Sequence, residues 1–289
     1  MMSEVKKIDY TIGKKIRESL QADCQSCFGL CCTALNIAAS SDFAINKAAG
    51  TPCPNLQSDF SCQIHSKLRV QGFKGCTVFD CLGAGQKVSQ TTFHGQDWRQ
   101  SPKISEKMFR VFPMMEQLYE MIAYVAEALS YKVDSSLFNK LHMQLEQLQL
   151  ATELEADALL AIDTPYFRLP VNDLLLETSE QIRQSLIEKI NGKNSRKYDY
   201  RGVDWMGKNL KGKDLRATDL RGSYLIAANL QNADLRGVDF IGADLRDANL
   251  RGADLSSSMF LTQMQINSAQ GNLQTILPSH LKRPSHWEE

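Results

Sequence analysis

Residues 200–260 read YRGVDWMGKNLKGKDLRATDLRGSYLIAANLQNADLRGVDFIGADLRDANLRGADLSSSMF. A large apolar or aromatic residue recurs at every fifth position: Tyr200, Trp205, Leu210, Leu215, Leu220, Leu225, Leu230, Leu235, Phe240, Leu245, Leu250, Leu255 and Phe260. Two places before lies a second register, small and apolar at Val203, Ala228, Ala233, Val238, Ala243, Ala248 and Ala253, small at Thr218 and Ser223, and broken by Lys208 and Lys213. Between the registers stands mostly Asp or Asn, as at Asp204, Asn209, Asp214, Asp219, Asn229, Asp234, Asp239, Asp244, Asn249 and Asp254. This period matches neither a 3.6-residue helix nor a two-residue strand. On a helix a five-residue step advances about 500° and would smear the leucines around the axis. It suits a coil whose short sides each turn one large and one small residue inward.

The run, typified by ADLRG, ANLQN and ADLRD, resembles the pentapeptide-repeat family, whose pattern is A-(D/N)-L-x-x. The resemblance implies a right-handed quadrilateral β-helix with four units per coil. Over residues 196–262 that makes about three coils, roughly 15 Å long at the usual strand spacing. Arg216, Arg236, Arg246 and Arg251 are then expected to face water. Phe260, Leu261, Met264 and Ile266 are expected to cover the open end, since a bare coil edge invites pairing with other chains. Residues 263–289 form this cap and a tail, with Trp287 either packed back or loose. Some members of the family mimic DNA and protect DNA gyrase. Duplex DNA carries one charge per roughly 1.7 Å, whereas residues 198–260 hold nine Lys/Arg and nine Asp. A neutral coil is a poor copy of it.

All eight cysteines fall between Cys24 and Cys81. Their spacing is Cys24-x2-Cys27-x3-Cys31-Cys32, followed by Cys53, Cys62, Cys76 and Cys81. A C-x2-C pair lets two thiolates from one tight turn meet a single metal, and Gly29 supplies freedom inside the loop. Neighbours such as Cys31 and Cys32 point apart, which suggests two adjacent sites or one site with a spare thiol. Residues 1–30 are too polar for the apolar core of a signal peptide. A cytoplasmic setting is therefore expected, where reducing conditions favour thiolate–metal bonds over disulfides.

This block resembles a zinc- or iron-chelating domain family marked by C-x2-C-x3-C-C near its start. The match covers roughly residues 20–85, with CPNL from Cys53 to Leu56, DFSCQIH around Cys62, and GCTVFDC. The resemblance implies that Cys24, Cys27, Cys31, Cys32, Cys53, Cys62, Cys76 and Cys81 are metal ligands. One departure is SKLRVQGFKG, where the family usually places Arg-Pro before the third block. Zinc in closed four-ligand sites would use the eight thiols twice; an iron–sulfur cluster would use four. His65 could replace a thiol, and the plain alternative is packed free cysteines without metal.

Residues 1–103 carry a net charge of +4, residues 104–190 of −7 and residues 191–289 of +3, within a chain of 289 residues and zero net charge. That balance argues against nucleic-acid binding by bulk charge. No stretch is apolar enough to span a membrane. The acidic middle reads as helices. One starts at Pro113 and carries Leu118, Ile122, Val125 and Leu129; a second is capped by Ser135 or Ser136 and carries Leu137, Leu141, Leu145 and Leu148. Residues 153–162 and 171–190 suggest two more. Glu153, Glu155 and Asp157 could form a cation site but suit a helix N-terminus better. Gly83-Ala84-Gly85-Gln86 reads as a flexible exit from the cysteine block.

The expected architecture is α+β and multidomain: a cysteine-rich metal module over residues 1–90, a helical bundle over 91–195, the β-helix over 196–262, and the cap. No acid/base constellation or phosphate-cradling loop stands out. The favoured function is a non-enzymatic bacterial scaffold that binds zinc or iron and offers the β-helix to a protein partner, as a monomer or homodimer. An iron–sulfur or iron-handling redox protein is the first alternative, and a gyrase-protecting resistance factor the second.

Overall fold

A computed structural model describes residues 9–190 and 198–287. The expected boundary near residue 195 falls outside the described residues. The chain divides into two units: Met1–Ser130 with Asp134–Leu174, and Tyr131–Val133 with Leu175–Glu289.

In the first unit, α1 (Thr11–Ser19) begins where the Asp9 carboxylate accepts from the Thr11 N–H at 2.9 Å. Gly13 permits its close seating, because a Cβ there would stand 2.1 Å from the Ala126 carbonyl oxygen. The short helices α2 (Leu30–Thr33), α3 (Lys74–Val78) and α4 (Ala84–Gln86) punctuate the cysteine block, and α4 continues into a π-helical turn, Lys87–Thr92. The longest helix, α5, runs Pro102–Leu129, so the expected start at Pro113 is corrected by eleven residues. Ser101 caps it, accepting from the Ile104 N–H at 3.2 Å, and Pro102 takes the first-turn place where a missing N–H costs nothing. Met108, Val111, Phe112, Met115, Leu118, Ile122, Val125 and Leu129 are buried along it.

Helix α6 (Ser135–Thr152) packs on α5 with Leu137, Leu141, Leu145 and Leu148 buried. Its cap is Asp134, one residue before the expected serines, accepting from the Leu137 N–H at 2.9 Å. Helix α7 is confined to Ala156–Leu160. The acidic cluster before it is divided by partners: Lys87 pairs with Glu153 and Lys107 with Asp157, each at 2.7 Å. Helix α8 (Thr164–Ile190) starts earlier than expected and carries Pro170 inside it. The division between the units falls within it.

In the second unit, the expectation of an α+β chain with a right-handed β-helix of three coils is overturned. Among the described residues no β-strand forms. Residues 199–259 are a succession of turns joined by isolated parallel bridges, each between residues twenty apart, as in Asp199↔Asp219, Asp219↔Asp239 and Asp239↔Met259. The cause lies in the backbone. Every pentapeptide from Gly202 to Gly252 holds one residue in the left-handed region, glycine in seven cases and Ala217, Ala227, Asn232 or Asp247 in the rest. Extended backbone cannot persist past such a residue. Asp and Asn side chains tighten the same turns, as where Asp204 accepts from the Met206 N–H at 3.0 Å.

The five-residue leucines nevertheless meet. Trp205, Leu210, Leu215, Leu220, Leu225, Leu230, Leu235, Phe240, Leu245, Leu250 and Leu255 are buried in one cluster with Ala228, Ala233, Ala248 and Ala253. Lys208, where the small register breaks, lies over the Trp205 ring at 5.0 Å. Leu175, Thr178 and Ser179 of α8 are buried in this unit, and Arg183 pairs with Asp219 at 3.2 Å.

Helix α9 (Gln263–Ser268) closes the coil through a capping box of Thr262 and Gln265. The Gln265 amide also donates to the carbonyls of Phe240 and Ala243 at 2.9 and 2.8 Å. Phe260, Leu261 and Ile266 are buried as a cap requires, while Met264 stays 40% exposed. Beyond it, Leu250 and Leu255 donate to the carbonyls of Gln270 and Ile276. Trp287 is buried against Gly271 and donates to the Ala269 carbonyl at 3.0 Å.

Candidate metal centre

Cys31 and Cys32 sit on α2 and Cys76 on α3, and the segments between are tied by the antiparallel bridges Ile37↔Lys47 and Leu56↔Cys62 and by the Cys53 N–H to Cys32 carbonyl bond at 2.9 Å. All eight are free thiols. Their electrostatics link them into one connected set. Cys24 feels the charges of Cys81 and Cys32, Cys27 that of Cys81, and Cys31 those of Cys32, Cys27 and Cys24. Cys76 feels Cys32, Cys53 and Cys62, and Cys62 feels Cys32 and Cys53. The Cys31 and Cys32 sulfurs stand 3.9 Å apart. The hydrogen bond between these thiols raises the Cys31 pKa and lowers that of Cys32.

Burial pushes the Cys27 thiol up to about 11 and Cys76 up to about 12. Backbone amides oppose this at three sulfurs. The N–H groups of Leu30 and Gly29 face Cys27, those of Gly85 and Gly83 face Cys81, and that of Ile64 faces Cys62. Amides turned on sulfur favour the thiolate, which is the form that binds a metal.

The loop bearing Cys24 and Cys27 is fixed from outside by side chains that its own sequence does not announce. Gln86 donates to the Gln21 carbonyl at 2.8 Å and accepts from the Asp23 N–H at 3.0 Å. Gln90 donates to the Ser26 carbonyl and Trp98 to that of Phe28, both at 2.8 Å. Buried Ser89 accepts from the Phe28 N–H at 3.1 Å and also bonds the Cys27 sulfur. Gly83 to Gln86 is therefore a helical support and not the flexible exit expected. Gly85 leaves room for sulfur: a Cβ there would stand 2.7 Å from the Cys27 Sγ and 3.8 Å from the Cys81 Sγ.

The departing segment SKLRVQGFKG is anchored differently. Leu68 and Phe73 are buried, and the Gly75 N–H, beside Cys76, donates to the Asp42 carbonyl at 2.9 Å. His65 lies exposed in the turn His65–Lys67.

Lys47 escaped the sequence reading altogether. It is only 5% exposed, and its ammonium donates to the carbonyls of Thr33, Leu35, Ala48 and Thr51. Its charge also faces Cys53, Cys32 and Cys31.

The donor set has the chemistry of a soft-cation site: reduced sulfur, amides aimed at three of the atoms, and a positive charge nearby. As they stand, no three or more His, Cys, Asp or Glu side chains among the described residues are gathered closely enough to hold a metal ion. Among the same residues, no helix is long and apolar enough to cross a membrane.

The turn-built coil defines the class. The family model of pentapeptide repeats matches eight copies over residues 209–235 and 218–256. The uncharacterized protein YybG of Bacillus subtilis (strain 168) is 53% identical over 281 residues, covering 97% of this chain and 99% of the relative. The chain belongs to the family of YybG and carries pentapeptide repeats. Among solved structures, the pentapeptide-repeat protein Rfr23 from the cyanobacterium Cyanothece 51142 is 31% identical, with 27% of this chain and 53% of that one covered and a TM-score of 0.25. The pentapeptide-repeat protein alr5209 from Nostoc Pcc 7120 is 22% identical, with 37% and 87% covered and a TM-score of 0.18. At scores this low neither neighbour bears on the fold of the rest of the chain.

Proposed function

We propose that this protein is a non-enzymatic, metal-stabilised scaffold. Cys24, Cys27, Cys31, Cys32, Cys53, Cys62, Cys76 and Cys81 supply the ligands for zinc or iron, and the repeat coil is offered to a protein partner. The observation that carries this is eight free thiols within one short stretch of chain, with backbone amides turned on Cys27, Cys62 and Cys81. A bound ion would cross-link segments distant in sequence. Support for the partner lies on the coil, where Met206 and Tyr224 are 54% and 53% exposed.

Elemental analysis after anaerobic purification tests the reading. Bound zinc or iron is expected, with less of it in Cys27→Ser and in Cys76→Ser. A metal-free wild-type chain, or unchanged metal content in both variants, refutes it. Visible charge-transfer absorbance in the same sample would redirect the assignment to an iron–sulfur cluster.

A further inference from the structure

The first and last windings of the coil end differently. At the last, Leu250 and Leu255 bond onward to Gln270 and Ile276, and Arg283 donates to the carbonyls of Asn272 and Thr275. At the first, the ladder bonds run one way, toward the second winding. The N–H groups of Trp205, Gly207, Leu210 and Gly212 donate to the carbonyls of Tyr224, Ile226, Asn229 and Gln231. One winding back, the matching carbonyls belong to Asp204, Met206, Asn209 and Lys211. Among the described residues no backbone bond ends on these carbonyls, and none starts from the N–H of Asp204 or Asn209. All four residues are exposed. They form an open edge, able to pair with added chain.

Two further features mark this edge. Residues 198–217 hold five Lys/Arg and three Asp, a net charge of +2, whereas residues 238–257 hold two and four, a net charge of −2. Arg201 and Arg216 are paired with Asp199 and Asp214. Lys208, Lys211 and Lys213 are exposed and make no ion pair among the described residues. Beside them lies an apolar patch on the side built from residues 203–207 and 223–227. Met206 and Tyr224 are exposed there and Ile226 is half-buried, where the third winding has Asp244 and Arg246.

A second copy docked edge to edge would set the three lysines against their own counterparts. An acidic chain meets every feature at once. Resting on the reading of the coil as a partner surface, we infer that the first winding binds an acidic, extended segment of a partner protein. The segment's backbone pairs with the open groups of Asp204, Met206, Asn209 and Lys211, as in the addition of a chain to a sheet edge. Its carboxylates lie by Lys208, Lys211 and Lys213, which steer the encounter. An apolar side chain of the segment rests on Met206, Tyr224 and Ile226.

The test is fluorescence anisotropy of the full chain with a short labelled peptide of alternating glutamate and leucine. Saturable binding that weakens with added salt is expected. The lysine–leucine counterpart should not bind, and N-methylation of alternate residues in the glutamate peptide should abolish most of its binding by removing backbone donors. The triple variant Lys208→Gln, Lys211→Gln, Lys213→Gln should bind about tenfold more weakly, the size that three exposed charge contacts reach together. Arg246→Gln, in the third winding, should bind as wild type does. Binding that falls only in Arg246→Gln overturns the inference and leaves the coil a partner surface elsewhere. Binding that neither change moves lies off the coil and overturns both readings. No binding to the wild-type chain overturns the inference alone, since an uncharged partner would still suit the coil. Tighter binding of single-stranded DNA, or a dimer in sedimentation that the triple variant abolishes, overturns it in favour of nucleic acid or a second copy. If circular dichroism shows the triple variant to be unfolded, the N-methylated and lysine peptides decide on wild-type protein.

Discussion

The Nη1 of Arg221 stands 3.4 Å from the Oδ2 of Asp239, a carboxylate with no solvent exposure at all. Asp219, bridged to it, is also buried, at 4% exposure, and is met by Arg183 at 3.2 Å. These two Asp positions of the repeat have thus been taken out of water together with their counter-charges.

Arg221→Met should destabilise the repeat unit by about 3–5 kcal/mol, because it strands a buried carboxylate. Burial raises the Asp239 pKa, and the Arg221 charge is the largest influence lowering it. Adding Asp239→Asn to Arg221→Met should therefore recover most of the loss. Urea unfolding followed by far-ultraviolet circular dichroism measures both; a double variant as unstable as the single one would count against the pair.

Leu235 has no exposure and sits in the middle of the interior cluster. Leu235→Ala should cost about 2–5 kcal/mol through lost burial and a residual cavity. Leu235→Lys should prevent the coil from forming, since it places an unpaired charge among leucines. Thermal unfolding of the two variants, with metal content measured in parallel, checks this.

Ala227 holds a left-handed conformation at φ 54 and is exposed. An L-residue there costs about 1–2 kcal/mol, whereas glycine costs nothing in strain but adds flexibility to the unfolded chain. Ala227→Gly should stabilise by about 0.5 kcal/mol and Ala227→Val should destabilise. A fall in midpoint for the glycine variant would show that the strain is not felt.

Glu116 of α5 has its carboxyl raised to about 7 by burial and by the Glu120 charge. The folded state thus favours the protonated form more than the unfolded chain does. Its contribution to stability is absent well above pH 7, grows as pH falls through 7, and is complete below the ordinary glutamate range. Glu116→Gln should flatten this part of the stability–pH curve. Denaturant titrations between pH 8 and 5 on both proteins give the comparison.

The five-residue register was legible because one large side chain per turn is enough to mark an interior, and Leu210 to Leu255 all fill it. The strands were misjudged on the same stretch. Gly202, Gly207 and Gly212 lie outside both apolar registers, and their positive φ dictates the turn. At α5 the Ser101–Pro102 cap was in plain view, yet Pro113 drew the start to itself. The approach of Cys81 to Cys24 and Cys27 leaves no mark in local spacing, since it arises only through tertiary folding. Lys47 left no mark at all: a lone lysine between Asn46 and Ala48 has the appearance of a surface residue until its carbonyl partners are known.

The segment after α9 gives the final winding something to bond to, through Gln270 and Ile276. Without that closure the amides of Leu250 and Leu255 would present a template of the same spacing as the molecule's own, and each copy could recruit the next. Residues 272–287, with Trp287 as their bolt, thus stand where that template would otherwise lie open.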